Sequence, residues 1–597
     1  MCQNLKEKLS NIIFSASGWR GIFAKNGNEE SKETEITEAH VIIASLAASV
    51  FSDFVDNMVM QNKKSIVLGL DTRPTGMAIM EAIIKMLIFK KRKILFLGIC
   101  SAPEIISFTV KNNKKASGFI YISASHNPIG HNGIKFGLNM GGVINAEENA
   151  SLVSAFNREM AVDGIAEKIT RALAGINKND VDRVISGINK NKKAALKIYK
   201  DFTEEVISGL DNKSERKKFF SGLKREIIKN PPGIVCDFNG SARTLSIDRD
   251  FIESLGAGFY SINDKPGEIV HRIVPEEESL FDCRDYLSSL HEKDRNVVIG
   301  YVPDCDGDRG NFVIWNDKKN CPEILDAQTV FALACVSELS SLHARNDKKN
   351  KIALIVNDPT SIRINKISTF FNAEVFRAEV GEANLVSLAK KQRESGYIVR
   401  ILGEGSSGGT IIHPSTVRDP LNTLGSLIKI LKLKELFKLW CSLSNQTDKY
   451  RDDYTLSDII SSLPVFYSTG AYSENALLNI KSADHALLKK RYQEIFNREW
   501  DRRKQEIGEL FGIDHWQPIA YNGITEKRNI ENFEVAGRGG LKIEFFGRNE
   551  TEASSFIWMR GSGTEPVFRI MADSHNIAMH DYLLKMHREI ILEADKS

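Results

Sequence analysis

The stretch Phe119-Ile-Tyr-Ile122-Ser-Ala-Ser125-His126-Asn127-Pro128-Ile-Gly-His-Asn132-Gly133-Ile-Lys135 decides how this chain is read. Phe119 to Ile122 form a short apolar run of strand type, and turn formers follow it. Ser125 therefore stands in a loop just beyond a strand. A hydroxyl in that place can accept a phosphoryl group and pass it on, provided that nearby groups hold the charge. Lys135 follows ten positions downstream.

Working outward, the strand-then-loop pattern recurs. Ser65-Ile-Val-Leu-Gly-Leu-Asp71 is one such run, with a helical pattern from Ala78 to Phe89 behind it, and Ile94-Leu-Phe-Leu-Gly98 comes next. Gly233-Ile-Val-Cys-Asp237, Val297-Val-Ile-Gly-Tyr-Val302 and Ile352-Ala-Leu-Ile-Val356 are further buried-strand candidates. Strands alternating with helices predict α/β layers with largely parallel sheets. The similar openings at 65, 233 and 352 hint at a repeated αβ domain. From about 430 to 515 the pattern turns helical. Leu488, Tyr492, Phe496 and Trp500 recur every four positions, and Gly512 is a stop after Phe511. That periodicity reads as packing. Gly540-Leu-Lys-Ile-Glu-Phe-Phe546 and Ser554-Ser-Phe-Ile-Trp558 return to strand patterns and fit a smaller α+β domain at the C-terminus.

A chain of 597 residues is too long for one core, and length suggests about four domains. With 80 Lys+Arg against 77 Asp+Glu the charges nearly cancel, so no basic excess points to nucleic acid. Local runs at 190–193 and 348–351 read as solvated faces or loops. The first residues hold no apolar signal core, and the stretch from Val41 to Val55 is short and broken by serines, so it reads as an amphipathic or buried helix and no membrane span is expected. Eight scattered cysteines without Cys-x-x-Cys pairs are expected to be reduced and buried, in a cytoplasmic protein.

Three further loops carry chemistry. Asp304-Cys-Asp306-Gly-Asp308-Arg309 follows the strand at 297, and three carboxylates at alternate positions can converge on a hard cation such as Mg²⁺. An EF-hand would need Gly at the sixth position and Glu at the twelfth, where this chain has Arg309 and Trp315. Arg309 offsets the negative charge or holds a phosphate, and Cys305 is a bystander because a hard cation has little use for a thiol. Gly403-Glu404-Gly405-Ser406-Ser407-Gly408-Gly409 places a carboxylate beside hydroxyls on a loop after a strand, a set suited to sugar hydroxyls. Arg560-Gly561-Ser562-Gly563-Thr564-Glu565-Pro566 combines an arginine fork, exposed backbone N–H groups and two hydroxyls into a nest for a phosphate, with Arg569 as an assistant. Ser15-Ala-Ser17-Gly18-Trp19-Arg20-Gly21 is a small-residue loop with one arginine. Lone histidines such as His271 and His413 read as surface or core residues.

Ser123-Ala-Ser125-His-Asn-Pro, Asp304-x-Asp306-Gly-Asp308-Arg309, Gly403-Glu404-x-Ser406 and Arg560-Gly-Ser562-Gly-Thr564-Glu-Pro566, in this order, resemble the signature loops of the α-D-phosphohexomutase superfamily. Ser17-Gly-Trp-Arg20-Gly and Gly69-Leu-Asp71-Thr-Arg73 also look like family elements, so the resemblance spans nearly the whole chain. It implies a heart-shaped α/β enzyme with a central cleft, built from three mixed α/β domains and a smaller C-terminal α+β domain. The expected divisions are 1–205 with the phosphoserine loop, 206–320 with the metal loop, 321–465 with the sugar loop, and 466–597 with the helical insertion and the phosphate-binding domain.

The resemblance implies a phosphoserine at Ser125 and one Mg²⁺ per active site, held by Asp304, Asp306, Asp308 and that phosphate. Arg20, Lys135, Arg309 and His126 join Ser125 as catalytic candidates, with Lys135 the general acid/base candidate. Glu404 and Ser406 are expected on the sugar, and Arg560, Ser562, Gly563, Thr564 and Arg569 on the non-reacting phosphate. The implied partner is a small sugar phosphate, with a hexose 1,6-bisphosphate as activator, and the implied assembly a monomer or homodimer.

Two sugar-facing positions depart from many relatives. Ser407, Gly408 and Gly409 follow Glu404-Gly-Ser406 where many relatives have a histidine close by, and the loop Glu379-Val380-Gly381-Glu382-Ala383-Asn384 lacks the lysine that many relatives carry. The expected reaction is phosphoglucomutase, interconverting glucose 1-phosphate and glucose 6-phosphate, which the chain length favours. The spelling Ile-Ser-Ala-Ser-His-Asn-Pro points instead to the phosphoglucosamine branch, and phosphomannomutase is a further alternative. A degenerate sugar-phosphate-binding protein is the non-enzyme alternative. It is disfavoured because nucleophile, carboxylates and nest are all present.

Overall fold

The protein is described by a computed structural model covering residues 2–58, 65–345, 351–561 and 567–596. Two compact units are present: Met1–Ile324 with Ile411–Gly425, and Leu325–Thr410 with Ser426–Ser597.

The first unit contains two mixed sheets. In one, the order is Ile13–Ser15, Gly18–Ile22, His131–Leu138, Ala116–Ile122, Ser65–Leu70, Ile94–Ile99. The last three run parallel, while His131–Leu138 returns antiparallel beside Ala116–Ile122. All seven residues of Ala116–Ile122 are buried, as a strand covered on both faces requires. In the other sheet, the order is Cys321–Ile324, Gly310–Asn316, Val297–Pro303, Gly233–Asp237, Gly258–Ile262. Here too the parallel strands give way to antiparallel hairpins. The expectation of largely parallel sheets is thus corrected. Short turns after Ile122 and Pro303 leave no room for a crossover helix, so the next strand folds straight back. These two turns are the serine loop and the aspartate loop. Trp19 to Gly21 likewise lie in a strand rather than a loop, because Ser15 and Gly18 close a tight hairpin.

The helix Glu38–Met58 passes the test of length and composition for crossing a membrane, but 72% of its apolar window is buried inside the protein. It packs on the helix Gly76–Phe89, and its Phe51 stacks on Phe54 and tilts against Phe136 of the sheet. Five more helices span Ala146–Met160, Ile165–Ala174, Lys178–Ser186, Ile188–Ser208 and Lys213–Lys229. The first starts on a capping box, with Asn145 accepting from Glu148 N and Glu148 accepting from Asn145 N. Within the run at 190–193, Lys192 is not simply solvated. It reaches buried Glu104 at 2.7 Å. Residues 348–350 of the second run lie outside the described residues.

The second unit holds the parallel strands Ala373–Ala378, Lys351–Asn357 and Tyr397–Glu404, after which Gly409–Ile412 carries the chain into the other unit. It also holds an antiparallel sheet ordered Tyr467–Ser468, Phe568–Ser574, Ser555–Gly561, Gly540–Gly547, Ile513–Asn522, Thr525–Arg528. The helices His485–Phe511 and Ile577–Lys596 pack on each other. Leu488, Tyr492 and Phe496 enter the core of that sheet, as their spacing predicts, and Trp500 is partly buried against it. The helical stretch also contains two short strands, Tyr467–Ser468 and Leu477–Leu478, both paired with Phe568–Ser574. Six cysteines are buried as expected among the described residues, but Cys321 is exposed because its strand lies at a sheet edge.

Candidate active site

Ser125 is buried and carries a positive φ of 54°, a left-handed conformation that costs a non-glycine residue about 1–2 kcal/mol. Arg73, from the turn after Ser65–Leu70, holds it there. Its Nη2 donates to the carbonyls of Ser125 at 2.7 Å and Asn127 at 2.5 Å. Its Nη1 donates to those of Pro128 at 2.5 Å and His131 at 3.0 Å. Asp71 backs the guanidinium at 3.3 Å. Hydrogen bonds from a charged donor contribute about 1.5–3 kcal/mol each, enough to offset the strain. Ser123 Oγ also accepts from Ser125 N at 2.8 Å.

The Ser125 hydroxyl donates to Asp304 Oδ2 at 2.6 Å. Oxygens of Asp304, Asp306 and Asp308 lie within 4.8 Å of one another, and all three residues are buried. Burial, then the charges of Asp306 and Asp308, push the Asp304 carboxyl well above the usual carboxylate range. Burial acts the same way on Asp306, but the Lys135 ammonium and hydrogen bonds outweigh it and hold that group low. Asp306 Oδ1 and Asp308 Oδ1 are buried without a hydrogen-bond partner. Three converging carboxylates with two orphaned oxygens fit a hard divalent cation.

Cations surround this loop. Lys135 faces Tyr121 across the serine hairpin and ion-pairs with Asp306. Arg20 faces Gly133 on the neighbouring strand, where a Cβ would come within 3.0 Å of its side chain, so a glycine is needed for the arginine to pass. Burial, then Arg309, push the Arg20 guanidinium down to about 10. Arg309 Nη1 donates to His126 Nδ1 at 2.7 Å, and Arg418 Nη2 donates to Asp308 Oδ2 at 2.8 Å. The structure therefore brings Ser125, His126, Lys135, Arg20, Arg309 and the three aspartates together.

Two groups here escaped the sequence reading. Arg418 follows an unremarkable run and shows its role only through Asp308. Arg243 is fully buried and props the aspartate loop, donating to Gly307 O at 2.9 Å, Asp248 at 2.8 Å, Asp419 at 3.2 Å and Tyr199 at 3.2 Å. Gly307 has φ +68°, and a Cβ there would meet the Arg243 side chain at 2.4 Å. Arg243→Met leaves Asp248 and Asp419 buried without this partner and is expected to lower stability by about 3–5 kcal/mol. The check is the midpoint of thermal or urea unfolding, and an unshifted midpoint refutes the propping role.

Asp237, His271 and Asp282 form a second cluster of metal-ligand type. His271 Nε2 lies 3.0 Å from Asp237 Oδ2 and Nδ1 lies 2.9 Å from Arg272 O, so both ring nitrogens face acceptors. That arrangement suits an imidazolium in an ion pair and leaves no lone pair for a metal.

In the second unit, Glu404 ends its strand and accepts from Gly381 N at 2.9 Å. Ser406 Oγ accepts from Asn357 at 2.9 Å, and Gly405 N donates to Thr360 at 3.1 Å. Arg560 closes the strand Ser555–Gly561 and is ion-paired with Glu379 at 3.0 Å. Arg569 sits opposite Arg560 in the sheet, lies over the Tyr472 ring at 4.9 Å and donates to Ala471 O. Ser562, Gly563 and Thr564 lie outside the described residues.

Residues 11–163 match the family model for phosphoglucomutase/phosphomannomutase α/β/α domain I. The chain is 26% identical over 395 residues to the phosphoglucosamine mutase of Methanococcus vannielii, covering 66% of this chain and 75% of that one. It is 24% identical over 412 residues to that of Methanococcus maripaludis strain C5, covering 69% and 75%. Among solved structures, a phosphoglucomutase/phosphomannomutase family protein from Burkholderia thailandensis shares the fold with a TM-score of 0.60 and 17% identity, over 98% of this chain and 97% of that one. Parafusin, a phosphoglucomutase from Paramecium, does so with a TM-score of 0.61 and 15% identity, over 93% and 92%. The serine loop, aspartate loop, fold and relatives agree: residues 11–163 belong to domain I of the phosphoglucomutase/phosphomannomutase family, and the chain as a whole is similar to the α-D-phosphohexomutases, which are phosphoryl-transferring isomerases.

Proposed function

We propose that the protein interconverts hexose 1-phosphates and 6-phosphates through phosphorylated Ser125, with glucosamine phosphates as its preferred pair. The observation that carries the reaction is the buried Ser125 hydroxyl, 2.6 Å from one of three converging aspartates. A hydroxyl of the hexose monophosphate attacks the phosphoserine. Its O–P bond forms as the Ser125 Oγ–P bond breaks, giving a 1,6-bisphosphate. Lys135, an ammonium paired with Asp306, is the candidate acid/base: it gives a proton to the departing Ser125 Oγ and takes the attacking hydroxyl's proton in its place. After the intermediate reorients, Ser125 Oγ takes the other phosphate and the proton returns to the product hydroxyl.

Arg20 and Arg309 hold the transferring phosphoryl oxygens, with His126 fixing the direction of Arg309. Asp304, Asp306, Asp308 and the phosphoserine would hold one Mg²⁺, which neutralises charge on the transferring group. A hexose 1,6-bisphosphate primes Ser125. Glu404 and Ser406 grip the sugar, and Arg560, Ser562, Gly563, Thr564 and Arg569 the non-reacting phosphate.

Two observations support the amino sugar. Both relatives described above are named phosphoglucosamine mutases. Glu404 accepts from Gly381 N, and the segment 379–384 around that glycine carries two glutamates and no lysine or arginine, a composition that favours an ammonium. Glucose phosphates, favoured by the chain's 597 residues, are the second reading. Specificity constants for glucosamine, glucose and mannose phosphates, measured side by side with a trace of 1,6-bisphosphate, decide between them. One charge-assisted contact is worth about 10–100-fold, so glucosamine 6-phosphate is expected to exceed glucose 6-phosphate by that factor. The reverse order selects phosphoglucomutase and leaves the mechanism intact. Absence of turnover on every hexose phosphate leaves a binding protein.

A further inference from the structure

We infer that Glu379 is a positioning residue: it sets the direction of the Arg560 guanidinium and ties the phosphate grip to the sugar loop. The inference rests on the reading of Arg560 as a phosphate ligand. Glu379 Oε1 accepts from Arg560 Nε at 3.0 Å and forms an ion pair with its Nη2 at 3.0 Å. Its Oε2 accepts from Gly523 N at 2.8 Å, and its own N donates to Gly523 O at 2.9 Å. The carboxylate is thus anchored on one side by backbone and grips the arginine on the other. By taking the Nε–Nη2 edge, it fixes the plane and the direction of the guanidinium. Arginine has large rotamer freedom, and a guanidinium already held in one direction loses less of it on binding.

The same short segment reaches the sugar loop. Val380 N donates to Asp358 Oδ1 at 3.1 Å, and Asp358 Oδ2 accepts from Trp558 Nε1 at 2.5 Å, two residues before Arg560. Gly381 N donates to Glu404 at 2.9 Å. Gly381 has φ +131°, which favours glycine at the bend. Residues 379, 380 and 381 therefore bond in turn to Arg560, to the strand that carries it through Asp358, and to Glu404. A shift of Glu379 moves both grips at once.

The test is a double-mutant cycle on the full chain, with the hexose phosphate of highest specificity constant as substrate and inorganic phosphate as competitive inhibitor. Glu379→Ala is expected to raise KM and the phosphate inhibition constant about 10-fold, with kcat within about twofold, because the loss falls on binding. Glu379→Gln keeps the shape but only one acceptor oxygen, so it retains the bond from Gly523 N at the expense of the pairing with Arg560; it is expected to raise KM between about threefold and 10-fold and serves if the alanine variant fails to fold. Arg560→Ala should raise KM at least as much, and Arg560→Ala/Glu379→Ala no further than Arg560→Ala alone. If Arg560→Ala raises KM and neither Glu379 variant does, the positioning role is overturned and the phosphate reading stands. Independent effects that multiply in the double variant, or a fall in kcat without change in KM, also overturn it. If Arg560→Ala itself leaves KM unchanged, the phosphate reading fails first and the positioning role falls with it.

Discussion

Ser125→Ala is expected to abolish turnover, with a loss of at least about 10⁴-fold, because the hydroxyl is the covalent carrier and no neighbour can replace it. His126 is the adjacent candidate, but its Nδ1 accepts from Arg309 at 2.7 Å, which commits the ring to that arginine. The loop itself should survive the change. Arg73 holds it through carbonyls, including that of residue 125, and the substitution leaves these bonds intact. The variant therefore tests chemistry rather than folding. After incubation with glucose 1,6-bisphosphate, intact-mass measurement is expected to show one added phosphate on the wild type and none on Ser125→Ala. Retained turnover, or a phosphate acquired elsewhere in the variant, would overturn the assignment.

Asp306→Asn is expected to cut turnover by about 10²-fold or more and to weaken Mg²⁺ binding, since one of the three aspartate ligands is lost. Asp306 also pairs with Lys135, so the change frees a buried ammonium from its counter-ion. Two measurements separate these effects. Calorimetric titration with Mg²⁺ reads the metal site alone, and turnover as a function of Mg²⁺ shows whether excess metal restores the rate. Weakened binding with partial rescue by Mg²⁺ is the expected result. Wild-type affinity for Mg²⁺ with near-normal turnover would refute the role of the aspartate loop.

Ser125 and Asp304 were legible because each follows an apolar strand and stands in a turn whose residues announce it. The strand ending at Ile122 is buried along its whole length, as its apolar end suggested, but the antiparallel hairpins were missed, because the strand–helix alternation elsewhere masked two turns too short for a crossover. Leu488, Tyr492 and Phe496 were legible for a similar reason, since helical spacing is a local property that packing then uses. Cys321 was misread because exposure depends on where a strand lies in its sheet, and nothing local marks an edge.

By itself, the sequence determined the α/β class, the loops that carry the nucleophile and the carboxylates, and the residue types able to hold phosphate. Only the tertiary structure decided which charge meets which. Lys135 finds Asp306 across 171 positions, Arg418 finds Asp308 across 110, and Arg560 finds Glu379 across 181. Arg243, read past in the sequence, holds Gly307 across 64 positions. The physical reason is that turns and strand ends are set by short-range sterics and hydrogen bonding, whereas a buried charge is set by whichever partner the packed interior delivers to it. A side chain's chemistry is written at its own position, but its direction, its protonation and its partner belong to residues folded in from elsewhere in the chain.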